Sequence, residues 1–344
     1  MKGFASDNAS GVHPKIMEKL VKINKGHEYA YGDDNHTRAA IKKFKEVFGN
    51  KVSVYFVYNG TAANVLGISG VTNSYHSILA TDISHLNVDE CSALERFSGN
   101  KIVPIPNREG KIFPDQLVKP LEILGFEHDA QPKMISITQA TELGTVYTVS
   151  EIKRLAAFAH KNGLFLHMDG ARLANAAVSL NSLLKEITFD VGVDIVSFGG
   201  TKNGMMFGEA IIFANENLAK DFKFIRKQGM QLASKMRFIS VQFETLLSNN
   251  LWLENAKNSN LMAKLLVSKL RKIKEVKITH PVDANEIFMM LPKVWVEKLL
   301  REFQFYVWDK EKSEIRLVTS FDTTEEEINQ FVDKIRRLQK SNIS

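Results

Sequence analysis

One cysteine in 344 residues rules out an intrachain disulfide and a cysteine-ligated metal site, and no metal centre is expected. Nothing around Cys91 would lower its pKa, so it is expected to be a small buried residue rather than a nucleophile. No run approaches the roughly 20 apolar residues that a membrane-spanning helix needs. The opening stretch, MKGFASDNASG, lacks the apolar centre of a signal peptide. No membrane partner is therefore expected, and the cytoplasm is the simplest compartment. There is no internal repeat, no low-complexity segment and no strong excess of one charge: 45 Lys and Arg stand against 39 Asp and Glu, a net +6. The aromatic residues are spread through apolar segments and form no stacking platform, so nucleic acid is not an expected partner.

The remaining composition is that of a globular protein, and the length suits roughly two domains of about 150 residues. Residues 164–202 organise it. LFLHM has the length and composition of a buried strand, and Asp169-Gly170 follows as a turn. Residues 171–184 carry apolar positions at helical spacing, and residues 194–198 form a second short strand that runs into Gly199-Gly200-Thr201-Lys202. Ligands of open α/β sheets bind outside the carboxyl ends of the strands, so Asp169, Arg172 and Lys202 can converge on one crevice. A carboxylate, an arginine and a lysine there suit pyridoxal phosphate: the lysine for a Schiff base, the aspartate to keep the pyridine nitrogen protonated. A surface lysine beside an ordinary Asp-Gly turn fits the same spacing, and spacing alone leaves both readings open.

Before this stretch, residues 1–44 show little sheet signal, with helices expected at 15–25 and 37–48. Residues 52–58 read as a strand stopping at Asn59-Gly60-Thr61, and a helix follows at 61–71. Unpaired N–H groups at that helix start suit a phosphate, although strand, glycine and helix recur in every α/β protein. A strand at 77–81 leads to His85, which can lie on a cofactor ring, act as a base, or simply be a satisfied loop residue. Strands at 101–106 and 134–138 flank a helix at 114–124 and a polar loop containing His128. Thr148 and Glu151 form a capping box for a helix that Gly163 stops. This alternation implies right-handed crossovers and a parallel sheet.

After Lys202 a strand at 208–213 arrives too soon for a crossover helix and is expected to run antiparallel. Residues 216–247 read as helix, with Arg226, Lys227, Lys235 and Arg237 solvated or offered to an anion across a dimer interface. From residue 251 helices alternate with short hairpin-like strands, the pattern of a small α+β domain. Arg316, in an apolar strand, must point outward or meet a carboxylate.

HMDGAR at 167–172, SFGGTKNG at 197–204, YNGTAAN at 58–64, SHLNVDECSA at 84–93, YGDD at 31–34 and RLVTSFDTT at 316–324 together resemble the low-specificity L-threonine aldolases, of the beta-eliminating lyase group. The resemblance spans nearly the whole chain. It implies a mostly parallel seven-stranded sheet sandwiched by helices, the type I fold of pyridoxal-phosphate enzymes, with a smaller C-terminal α+β domain. The expected division is an N-terminal segment, 1–44, packing on both domains, a cofactor-binding domain, 45–250, and a small domain, 251–344.

By the same resemblance Lys202 forms the Schiff base, with Thr201, Gly60 and Thr61 on the phosphate, Asp169 on the pyridine nitrogen and His85 stacked on the ring. Arg172 lines the site near the cofactor oxygen and the substrate carboxylate, which Arg316 and Ser6 grip. His128 lies near the substrate hydroxyl, and Tyr31 reaches into the partner subunit's site of a homodimer or homotetramer. The implied reaction is cleavage of threonine, allo-threonine and related β-hydroxy-α-amino acids to glycine and an aldehyde. A β-eliminating lyase or aminotransferase of the same fold is the alternative. The chain departs from many members where Gln139-Ala140-Thr141-Glu142 replaces Glu-Asn-Thr-His, and in Thr201-Lys202-Asn203-Gly204-Met205 and Ala233-Ser234-Lys235-Met236-Arg237; Lys202 and Asp169 are untouched.

Overall fold

Seven apolar segments pair into one sheet in the computed structural model, which describes residues 3–341. They are β1 (Ser53–Val57), β2 (His76–Thr81), β3 (Lys101–Ile105), β4 (Gln131–Thr138), β5 (Phe165–Gly170), β6 (Ile195–Gly199) and β7 (Glu209–Phe213). Their spatial order is β1-β7-β6-β5-β4-β2-β3. β7 runs antiparallel to both neighbours, and the pairs from β6 to β3 are parallel. Met1, Lys2 and residues 342–344, which open and close the outermost expected segments, lie outside the described residues.

Successive side chains on a strand face opposite ways, and the central strands are apolar on both sides, as a sheet covered on two faces requires. Val196, Phe198, Ala210 and Ile212 enter one core with Leu166, Met168 and Ile135. Ile195, Ile211 and Phe213 enter the opposite one with Val57, Ile78 and Met134. The first core centres on Phe44, in helix Asn35–Phe48. Its ring lies 5.2 Å from Phe243, 5.7 Å from both Phe56 and Phe198, and 5.9 Å from Phe48. Helix Gly60–Ser69 packs on the other face through Ala63, Val65, Leu66 and Ile68.

A second, antiparallel sheet follows in the order β10-β11-β9-β8: β8 (Lys277–Ile278), β9 (Glu286–Met290), β10 (Tyr306–Asp309) and β11 (Glu314–Val318). Ile287, Met289, Ile315 and Leu317 pack into a separate core against Leu266, Phe331 and Trp295. Glu286 and Arg316, offset by one from these positions, take the other face. Phe4 also enters this core; its N–H donates to the Gln304 carbonyl at 2.7 Å and its carbonyl accepts from the Val318 N–H at 2.8 Å. The chain's beginning is thus stitched to β11.

Several expected helices are shorter. The one at 216–247 is two, Phe222–Gln228 and Arg237–Leu246; Met230 adopts φ 61°, which ends the first, and a Cβ on Gly229 would lie 2.6 Å from Leu66. The helix at 171–184 spans Leu173–Leu180, stopped by Asn181 in the left-handed region. That at 114–124 is one turn, Pro114–Leu117, then a 3-10 turn, Lys119–Leu121, because Pro120 has no N–H to continue it. Cys91 is exposed rather than buried, in a turn where it and Ser92 have φ of 49° and 55°. No helix among the described residues is long and apolar enough to cross a membrane.

Phe44→Ala is expected to lower stability by about 3–5 kcal/mol, the usual loss for an aromatic removed from a close-packed core. The denaturant midpoint measures it, and a loss below about 1 kcal/mol would show that the ring cluster is not tightly packed.

Candidate active site

The parallel strands deliver their polar exits to one end of the large sheet. A cavity of about 320 Å³ there is lined by Gly60, Thr61, His85, Asp169, Thr201 and Lys202 among others. Lys202 reaches it on a 3-10 turn, Thr201–Asn203. That turn can lie so close to the sheet because Gly199 has no side chain: a Cβ would strike the Ala171 backbone. Asn203 fixes its far side, donating to the Trp252 carbonyl at 3.1 Å and accepting from Asn255 at 2.9 Å.

Asp169, 6% exposed, is held at both oxygens. Oδ1 accepts from the Ala171 N–H at 3.0 Å and Oδ2 from Asn64 Nδ2 at 2.8 Å. The Asn64 amide also donates to Glu90 Oε1 at 2.9 Å, and the same oxygen lies 2.8 Å from His85 Nδ1. A buried chain therefore runs from His85 through Glu90 and Asn64 to Asp169. The hydrogen bond to Glu90 raises the His85 pKa against the effect of burial, and Asp169 adds to the rise. Neither Asn64 nor Glu90 was singled out from the sequence, although both fall inside segments that carry the resemblance; their polarity beside His85 and Gly60 was the available signal.

Glu142 supports the same histidine from behind. Its Oε1 accepts from the His85 backbone N–H at 3.0 Å and from the Thr138 hydroxyl at 2.6 Å. Burial pushes its pKa up to about 7, the hydrogen bonds opposing the shift. His167, from the HMDGAR segment, is fully buried between Ser136 Oγ at 2.8 Å and Ser197 Oγ at 3.1 Å. Burial pushes it down to about 4, although Asp169 pulls the other way, so it is a neutral packing residue at the bottom of the site.

At the opposite wall, helix Gly60–Ser69 presents its start. The Asn59 side chain accepts from the Ala62 N–H at 2.9 Å, while the Gly60 and Thr61 amides have no acceptor within the helix. A Cβ on Gly60 would meet nothing within 4 Å, so an anion can approach the backbone closely. The Thr201 hydroxyl and amide, by contrast, hydrogen-bond Glu209.

Beside the cavity lies a cluster of charges, its two acids buried and its two arginines largely so. Arg172 makes a two-pronged contact with Asp7, Nε to Oδ2 at 2.8 Å and Nη2 to Oδ1 at 2.9 Å, and Asn285 Nδ2 donates to Oδ2 at 3.1 Å. Glu286 lies 3.6 Å from Arg172 and 3.8 Å from Arg316. Burial works to raise the Asp7 pKa, but Arg172 and then Lys202 overcome it and hold the carboxyl below its ordinary value. Burial likewise opposes the Arg172 charge, and Asp7 and Glu286 more than restore it. Arg316 thus both meets a carboxylate and lies over the rings of Tyr306 and Trp308, at 5.2 and 5.4 Å. Its Nε is buried with no hydrogen-bond partner among the described residues. Ser6 caps the turn that carries Asp7, its hydroxyl accepting from the Asn8 N–H at 3.1 Å.

Arg172, Arg316 and Ser6 thus stand beside the cavity and not among its lining residues, and two further expected residues, His128 and Tyr31, do not line it either. His128 is exposed, three residues before β4 begins, whereas the site lies at the carboxyl ends of β4 and its parallel neighbours. The eight residues of β4 put roughly 25 Å between them. Tyr31 is 51% exposed, its N–H donating to the Ser234 carbonyl at 2.9 Å and its ring under Lys227.

The beta-eliminating lyase family model matches residues 3–293. Low-specificity L-threonine aldolases from a Pseudomonas species and from Pseudomonas aeruginosa are each 40% identical to the chain, over 98% of both sequences in the first case and over 97% of this chain and 96% of the relative in the second. A solved structure of a threonine aldolase from Leishmania major superposes with a TM-score of 0.93 at 31% identity, covering 98% of this chain and 99% of that one. The chain belongs to the beta-eliminating lyase family, among its low-specificity L-threonine aldolases.

Proposed function

We propose that the chain binds pyridoxal 5′-phosphate in this cavity and cleaves the Cα–Cβ bond of L-threonine, allo-threonine and related β-hydroxy-α-amino acids, releasing glycine and an aldehyde. The observation that carries it is the meeting of Lys202, Asp169 and the open Gly60–Thr61 turn in one cavity, in a chain so similar to threonine aldolases. The residues fit the cofactor: a lysine for covalent attachment, a buried carboxylate for the pyridine nitrogen, helix-end amides for the phosphate, and open space where a Gly60 side chain would stand. When bound, the group supplies an electron-accepting ring conjugated to the substrate α-carbon.

The chain's own residues do the rest. Lys202 would hold the cofactor covalently through its amine, at the position the substrate amine has to reach. Asn64 and the Ala171 N–H fix Asp169, so its charge stays where the ring nitrogen needs it. Arg316 and Arg172, steadied by Glu286 and Asp7, hold the substrate carboxylate; with amine and carboxylate both fixed, rotation about the α-carbon is frozen and the bond to be broken is chosen by geometry. Ser6 adds a hydroxyl beside that clamp. Because Glu90 takes the Nδ1 proton of His85 in a hydrogen bond, the neutral ring offers Nε2 as the base for the substrate hydroxyl.

The division into a cofactor domain and a small domain, with the first 44 residues packed on both, belongs to this reading. Two sheets with separate cores, and Phe4 and Asp7 joining them, support it. A cytoplasmic compartment and a homodimer or homotetramer belong to the same reading, with His128 and Tyr31, both exposed, serving the site of a neighbouring subunit.

Incubation with L-threonine should give glycine and acetaldehyde; ammonia with a keto acid instead would mean a β-eliminating lyase or aminotransferase. Lys202→Ala should lose both cleavage and the lysine-linked absorbance of the cofactor, and an unchanged rate would remove the residue from its role. Arg316→Ala should raise KM for threonine about 10- to 100-fold, the worth of a charge-assisted hydrogen bond, with much less change in cofactor affinity; equal loss of both would count against the carboxylate assignment. Glu90→Gln should lower the His85 pKa, read from imidazole NMR. Since the base works neutral, the acidic limb of the pH–rate profile then moves to lower pH. A stationary limb would exclude His85 as the base.

A further inference from the structure

One acid in the cavity has no part in the chemistry above. Glu209 opens β7, paired with Val57 of β1 on one side and Gly199 of β6 on the other. Its carboxyl therefore stands between the turn that leaves β1 at Asn59-Gly60-Thr61 and the turn that leaves β6 at Gly200-Thr201-Lys202. It is 7% exposed, lines the cavity, and accepts from the Gly200 N–H at 2.8 Å as well as from Thr201.

These same two turns are the ones assigned to the phosphate, a group with a second pKa of about 6 and hence nearly two negative charges at neutral pH. A carboxylate and a phosphate dianion in one small, mostly buried space repel, and of the two groups the buried acid holds a proton more readily than the phosphate does. Thr201 makes the conflict specific. Its hydroxyl has a single proton, and while Glu209 is ionised that proton is donated to the carboxylate. If Glu209 is protonated it can donate to Thr201 Oγ instead, and the Thr201 O–H is released toward the cavity. The titratable groups that face this space from the surrounding elements are Lys202 after β6, Tyr58 after β1, Asp169 on β5 and His85 after β2. Lys202 opposes protonation of Glu209, and a bound dianion offsets it.

We propose that Glu209 is a positioning residue that takes up a proton from solvent as the cofactor phosphate seats, turning Thr201 from a donor to Glu209 into a donor to the phosphate and making cofactor loading proton-linked. Burial already pushes this acid up to about 7 against the Thr201 and Gly200 hydrogen bonds and Lys202, so the proton is within reach near neutrality. The inference rests on the cofactor reading above.

The test is calorimetric titration of the full-length apoprotein with pyridoxine 5′-phosphate, which has the phosphate but no aldehyde to react with Lys202. Two buffers of different ionisation heat give the protons taken up, for wild type and Glu209→Gln, across pH 6–9. Wild type is expected to take up more protons than the variant at pH 8, and its affinity to fall more steeply with rising pH, by up to an extra tenfold per unit. Equal uptake and parallel pH curves would overturn the proposal. Infrared difference spectra of the wild type labelled with ¹³C-glutamate give a reading that needs no variant. A protonated-carboxyl band gained on loading supports the assignment, and its absence overturns it. Failure of the apoprotein to bind pyridoxal 5′-phosphate at all would sink the cofactor reading too, whereas tight binding with no difference in proton uptake sinks only this inference.

Discussion

Two buried carboxylates and the two largely buried arginines they meet, where the two sheets come together, constrain everything around them. Asp7 comes from the N-terminal segment, Arg172 from the turn after β5, Glu286 from β9 and Arg316 from β11. Removing water from such groups is expensive, and withdrawing one partner of a buried pair costs about 3–5 kcal/mol because a lone charge is left behind. None of the four segments can therefore shift without exposing the others to that penalty. The two guanidinium groups are fixed relative to one another, and through Asp7, whose carboxyl feels Lys202, relative to the lysine.

Around this cluster the carboxyl groups are differentiated by what touches them. Asp7 has an arginine gripping both oxygens and is held ionised. Glu209, buried, and Glu142, half-buried, meet only hydroxyl and amide donors, with one lysine near Glu209, and both are pushed up to about 7. Asp169 and Glu90 share one amide, that of Asn64, so the acid proposed for the ring nitrogen and the acid that hydrogen-bonds the histidine are tied by a single side chain. The cavity and its surroundings thus bring together an acid held ionised and acids pushed toward neutrality, and neighbours, not residue type, make the difference.

Much of this was legible beforehand because it follows from periodicity and from what a strand end must do. The buried runs at β5 and β6, the Gly-Gly-Thr-Lys exit and the capping box at Thr148 are local signals, and Glu151 closes that box as its spacing implies. Arg316 in an apolar strand left two possibilities, a side chain turned outward or one that meets a carboxylate, and the fold takes the second. What could not be read was which one, since Glu286 sits thirty positions away and becomes its neighbour only through strand pairing. Asn64 and Glu90 were hidden for the same reason: each is an ordinary polar residue until the fold brings Asp169 and His85 alongside. The long helix expected at 216–247 failed because a left-handed Met230 leaves no trace in hydropathy. Cys91 misled because burial was inferred from residue type, whereas its turn lies at the surface.

The stitch between Phe4 and Val318 joins segments far apart in sequence. Asp7 lies three residues after Phe4, and β11 follows it by more than three hundred residues. Contacts of such long sequence separation are slow to establish, so the stitch that holds the Asp7 turn against the arginines belongs to the non-local contacts of the fold and not to its local ones.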